Sequence, residues 1–129
     1  AVGNDAAATG SQATAIGFNA RAVGTDSFAA GNALANTANS TAVGNTASAT
    51  GSQATSIGFS SAAGGDDAFA GGNADATGNN SVAIGNGADA QLGSGTAVGN
   101  DAVATGSQAT AIGFNARAVG TDSFAAGNA

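Results

Sequence analysis

A unit of 14 residues recurs down the whole chain with almost unbroken phase, and that period decides what such a chain can fold into. Register marks fall at Gly3, Gly17, Gly31, Gly44, Gly58, Gly72, Gly85, Gly99, Gly113 and Gly127, at intervals of 14, 14, 13, 14, 14, 13, 14, 14 and 14 residues. A second glycine follows seven residues later in many units, at Gly10, Gly24, Gly51, Gly65, Gly106 and Gly120. The copies are close. Ser11 to Asn32 returns unchanged at Ser107 to Asn128, residues 1–33 and 97–129 differ only at Ala7 against Val103, and a looser copy runs from Ala42 to Ala74.

Within each unit the residues alternate with a period of two, the signature of a strand. In Ala13-Thr14-Ala15-Ile16-Gly17-Phe18, one face carries Thr14, Ile16 and Phe18 and the other carries Ala13, Ala15 and Gly17. In the second half-unit Ala20, Ala22 and Gly24 share a face opposite Arg21 and Val23. Regular glycine, without Glu or Lys, is poor helix material. Two strands and two turns per unit make one coil of a β-solenoid. About ten coils spaced by roughly 4.8 Å give a rod on the order of 45 Å long.

Three coil types follow one another. Type one reads AVGN (Val2, Val43, Val98), type two reads AIGF (Ile16, Ile57, Ile112), and type three centres on Phe28, Phe69 and Phe124. Where the Ile/Val place falls to Ala30, Gly71 or Ala126, a Phe stands two residues earlier on the same face, restoring the lost volume as close packing demands. Both 13-residue intervals follow type three, so the shortened turn belongs to that coil. The order one-two-three runs twice, is interrupted by an extra coil around Ala83 to Gly95, and runs once more.

Composition limits what the coils can bury. The chain has no Trp, Tyr, Met, Pro or Cys, six Phe, and a hydrophobic content of 43% that is largely alanine. Alanine offers little apolar area, so any core is thin. Small residues inside let the two strands of a coil approach closely. The bulky column then points outward as a long apolar stripe, the kind of surface that marks an interface. Copies of the same chain around a rotation axis would bury it. The predicted interface column is Val2, Ile16, Val43, Ile57, Ile84, Val98 and Ile112 with Phe28, Phe69 and Phe124. The inverse assignment, Ile inside and Ala outside, needs no partner.

The same residues exclude several functions. With no His or Cys, and with acids limited to eight Asp, no catalytic constellation or cofactor site is expected. Asp66-Asp67 reads as a solvated turn, and the Asp-containing turns at Asp5, Asp26, Asp101 and Asp122 lack the nine-residue period of calcium-binding solenoids. A net charge of −6 without basic clusters argues against nucleic acid and anionic lipid, and no apolar run approaches spanning length. Arg21 with Asp26 and Arg117 with Asp122 read as salt bridges across a turn or to the next chain. The phenylalanines read as packing elements, with Phe18, Phe59 and Phe114 becoming candidates for ligand contact if exposed. A hexapeptide-repeat acyltransferase fails on its period and its missing His. An ice-binding solenoid has a Thr column at Thr14, Thr41, Thr55, Thr96 and Thr110, broken by Phe28, Phe69, Val82 and Phe124. Unbroken phase argues against a disordered linker.

The motif Ser81-Val82-Ala83-Ile84-Gly85 after Asn80, with its variants Ser40–Gly44 and Gln12–Gly17, resembles the head signature of YadA-like trimeric autotransporter adhesins. The resemblance covers essentially the whole chain, and the SFAAGN coils look like those of Burkholderia-type heads. It implies an all-β, left-handed parallel β-roll, assembled as a parallel homotrimer with the Ile/Val column facing the trimer interior. It also implies type V secretion, display on the bacterial cell surface outside the outer membrane, a role in virulence, and multivalent attachment to host cells or extracellular matrix. Residues 1–129 then form a single head segment, internal to a longer protein, without membrane insertion of its own. A passive spacer within the surface fibre is the alternative to an adhesive head.

Overall fold

A computed structural model of the chain describes residues 1–128. Three-residue strands alternate with two-residue strands from Ala7–Ala8 to Phe124–Ala126, and no helix occurs among the described residues. The strands form two separate sheets, each of nine strands and each parallel throughout. The three-residue strands, from Thr14–Ile16 to Phe124–Ala126, make the first sheet, and the two-residue strands make the second. Val2 adds only an isolated bridge to Ile16, so the stack amounts to about nine turns of an all-β parallel solenoid.

The alternation seen in the sequence sets the register. Every pairing joins equivalent residues of neighbouring coils, as in Thr14 with Phe28, Ala15 with Ala29 and Ile16 with Ala30. Turn backbones are paired up the stack as well: the Asn19 amide donates to the Asn4 carbonyl at 3.0 Å and the Asp26 amide to the Ser11 carbonyl at 2.8 Å. With almost every coil making the same bonds to the next, backbone polar groups are satisfied without a wide sheet or a helix to cover it.

The gap between the sheets is one alanine side chain deep on each side. The centre of each three-residue strand points inward, and in order these residues are Ala15, Ala29, Ala42, Ser56, Ala70, Ala83, Ala97, Ala111 and Ala125. They meet Ala22, Ala35, Ala49, Ala63, Ala76, Ala90, Ala104 and Ala118 from the second sheet. The largest fully buried side chains are serines. Ser27, Ser40 and Ser81 each donate to the carbonyl three residues back at 2.6 Å, which satisfies their hydroxyls. In one coil two core alanines are replaced together: Ser56 Oγ lies 2.7 Å from Ser61 Oγ and 2.9 Å from the Ser61 carbonyl.

Two kinds of glycine make this spacing possible. The register glycines, such as Gly17 at φ 119° and Gly58 at φ 132°, lead out of the first sheet through a backbone region closed to other residues. The second-column glycines have ordinary φ but no room: a Cβ on Gly51 would fall 1.9 Å from the Gly65 carbonyl oxygen. Thr37 and Leu92 stand in that column instead, and Thr37 Oγ1 turns to donate to the Gly51 carbonyl of the next coil. Ordinary turns hold one left-handed residue, for example Asp26 at φ 56° or Asn80 at φ 58°. The shortened turns after Phe28–Ala30 and Phe69–Gly71 omit it and close on Gly31 and Gly72 at φ 86° and 85°. The sequence had assigned the short turn to this coil type, and that is where it lies.

Substitutions at Ala42 test the thin core. Ala42→Ser should cost less than about 1 kcal/mol, because Ser56 already occupies the equivalent place. Ala42→Leu should lower stability by about 1–3 kcal/mol or more, through forced separation of the sheets. Thermal unfolding followed by far-ultraviolet circular dichroism reads both.

Candidate functional site: a charge-free apolar face

Because small residues fill the interior, the bulky residues of the first sheet lie on its outer side. Two columns run the length of the stack. One reads Thr14, Phe28, Thr41, Thr55, Phe69, Val82, Thr96, Thr110 and Phe124 by successive pairing. The other reads Ile16, Ala30, Val43, Ile57, Gly71, Ile84, Val98, Ile112 and Ala126. All ten residues of the sequence-derived column therefore lie on this face, with Val2 joined to it through its bridge. Ile16, Ile57, Ile84 and Ile112 are 41–45% exposed, whereas Val43, Val98, Phe28 and Phe69 are half-buried by their neighbours. The assignment with Ile inside is ruled out by the alanine interior.

The columns compensate each other locally. A Cβ built on Gly71 would meet Phe69 Cε1 at 3.1 Å and Ile84 Cγ1 at 3.8 Å, so the Phe69 ring leans over the place where a side chain is missing. The type-three coil thus trades a Thr–Ile pair for a Phe–Ala or Phe–Gly pair while keeping the face filled.

Phe18, Phe59 and Phe114 follow the register glycines in the turns that leave this sheet. They do not pack within the chain as the sequence suggested: their exposures are 58, 65 and 58%. A turn position projects beyond the strand, and the shortened neighbouring turn supplies nothing to cover the ring. They extend the apolar face at one edge.

Charge is kept off this face. Asp5 and Asp101 occupy one set of turns, Asp26, Asp66, Asp67 and Asp122 the other, and Asp75 and Asp89 the second sheet. Arg21 and Arg117 are also on the second sheet, exposed. Among the described residues neither arginine is paired with a carboxylate, so the salt bridges to Asp26 and Asp122 across the turn do not form within the chain. The reason is placement: each Arg projects from a strand and each Asp from the tip of the following turn.

The second sheet presents a mixed outer column of Ala7, Arg21, Leu34, Ser48, Ala62, Asp75, Asp89, Val103 and Arg117. Asp75 and Asp89 pair directly. Their 14-residue separation makes this stacking legible in the sequence. Partial burial first, and the Asp89 carboxylate second, push the Asp75 carboxyl above its ordinary value. Gln91 Nε2 donates to Asp89 Oδ2 at 2.6 Å and helps hold that neighbour in place. Among the described residues no three acidic side chains gather to hold a metal ion, and no pocket is enclosed.

A parallel solenoid with an alanine core, one apolar face free of charge and one mixed polar face defines a repeat protein built to present surfaces. The chain belongs to the YadA head domain repeat family, which it matches over residues 1–20, 8–33, 35–61, 70–88, 94–116 and 104–129. This family comprises adhesin heads of trimeric autotransporters. No individual curated protein matches the chain.

Two substitutions follow from this geometry. Because the folded chain holds the Asp75 proton more tightly than the unfolded chain does, this group favours folding below its unfolded pKa. The advantage is lost as pH rises through the raised folded pKa. Asp75→Asn should therefore raise the melting temperature at pH 7 and leave it little changed at pH 3, as read by calorimetry. Gly71→Ile should cost about 1–3 kcal/mol by displacing the Phe69 ring. The double change Gly71→Ile with Phe69→Thr should recover most of that loss, because it recreates the Thr55–Ile57 pair of the neighbouring coil.

Proposed function

We propose that this chain is a segment of the head of a bacterial surface adhesin. In this reading three parallel copies bury the first-sheet face and together present the second sheet and the turns to a host cell or to extracellular matrix. The observation that carries the reading is the segregation of charge. A chain of net charge −6 repels its own copies, yet it keeps one face apolar from end to end with every Asp and Arg elsewhere. Three like-charged copies can meet along that face and along no other.

The family membership supports a left-handed roll, three-fold assembly and display outside the outer membrane, with residues 1–129 as one head segment. Attachment on this account is non-catalytic. It works by multivalency: three copies in one fibre, and many fibres on one cell, add weak contacts into a strong one. The regular second sheet supplies a ladder of shallow, mixed contacts rather than one deep site. Leu34 and Val103 supply apolar groups within the ladder, and the exposed Phe18, Phe59 and Phe114 supply others in the turns. The broken Thr column, in which Phe28 sits between Thr14 and Thr41, does not favour ice binding.

Assembly and attachment can be read separately. Light scattering after size exclusion should give a trimer for the parent chain and for Ser48→Asp, which places a charge on the second sheet. It should give a loss of trimer for Ile57→Asp and Ile84→Asp. Beads coated with the parent should adhere to surfaces carrying decellularised matrix, and beads coated with the Ile57→Asp chain should not. A trimer whose beads do not adhere would identify the segment as a spacer. A folded parent monomer would overturn the reading at its root.

A further inference from the structure

A stack of similar coils creates a problem that an ordinary interface lacks. If copies pack side by side along the first-sheet face, each can slide by one coil and still set an apolar column against an apolar column. We infer that the order of coil types along the chain, broken by the extra coil, is an axial register code that holds the copies at the same level. This rests on the proposed assembly of copies through the first-sheet face.

The code lies in the outward pairs. Types one and two present Thr with Val or Ile; type three presents Phe with Ala or Gly, its ring leaning over the vacant place as Phe69 does over Gly71. Each type three level has a bulge and a recess displaced from those of its neighbours, so a slip of one or two coils sets bulge against bulge. A slip of three coils would escape this penalty if the order one-two-three simply repeated. The extra coil prevents it. It presents Val82 with Ile84, a pair found at no other level, and it shifts the phase of every coil after it. With it in place, a three-coil slip brings seven levels together, and only three of these agree in type. Without it, all six overlapping levels would agree.

Leu92, 50% exposed, also replaces the second-column glycine in this coil, as Thr37 does in an earlier one. The coil also conserves the backbone: its strands pair in parallel with the coils on both sides, so the interruption costs the stack nothing. A device that alters the outer face while leaving the ladder intact is what axial registration requires.

Deleting residues 79–92 tests this, because Gly78 then takes the place of Leu92 and the intervals between register glycines stay at 13 and 14. The chain has no Cys, so single cysteines report cleanly. Chains carrying Ile16→Cys are refolded together with chains carrying Ile57→Cys and oxidised. A disulfide between residues 16 and 57 reports a three-coil stagger; disulfides between identical residues report alignment. In the parent, only identical residues should link. In the deletion, the 16–57 product should rise to a yield comparable with the identical-residue products, and staggered ends should recruit further chains into species larger than a trimer.

A second variant covers a failure of the deletion to fold. It converts Phe28 and Ala30, Phe69 and Gly71, and Phe124 and Ala126 to Thr and Ile, pairs the fold already accepts. That should allow one-coil slips, read as a disulfide between Val43→Cys and Ile57→Cys chains that is absent in the parent. Aligned trimers in every background, or staggered products in the parent, would overturn the inference. A parent that forms no trimer at all would sink the assembly reading first, and light scattering on the same samples distinguishes the two failures.

Discussion

The distance between the two sheets is the constraint on which everything else depends. Both inner faces are lined by alanine, with serine and glycine at a few places, and nothing larger than serine is fully buried among the described residues. Sheets held this close leave no interior space for Ile, Val or Phe, so those side chains lie outside. The glycine columns complete the constraint by letting one coil sit directly on the next, at spacings a Cβ would not allow. A chain built this way has a continuous hydrogen-bonded ladder and very little hydrophobic core. Its bulk apolar surface is available for assembly.

That division of labour explains the contrast between the faces. The first sheet is constrained twice, by the ladder within the chain and by the packing of its outer columns, and its variation is correspondingly coupled: Phe appears where Ile is lost. The second sheet is constrained only by the ladder. Its inner places remain alanine while its outer places range over Arg, Leu, Ser, Asp and Val. Surface chemistry can vary there without disturbing the fold, which suits a surface whose business is contact with something else.

Much of this was legible in the sequence because solenoids turn linear spacing directly into geometry. The 14-residue phase predicted which residues stack, and the alternation of Thr14-Ala15-Ile16 predicted which side each one takes. Residue volume then decided the face, since alanine alone fits a narrow gap. The misreadings concern what extends beyond the strands. Arg21 and Asp26 look adjacent on paper, but strand and turn-tip directions carry them apart. Phe18, Phe59 and Phe114 read as packing elements on the bulky face, but in the turns their rings are exposed. The stacking of Asp75 on Asp89 followed from the same spacing and needed only that the second sheet be read as closely as the first.

The central claim is that a single copy of this chain is stabilised by burying its outer columns against other copies. Thermal unfolding measured over a hundredfold range of protein concentration tests it most directly, because association linked to folding makes the midpoint depend on concentration. The account predicts a melting temperature that climbs steadily as concentration rises, with dissociation and unfolding in one transition. A midpoint independent of concentration, in a chain whose mass is that of a monomer, would contradict it.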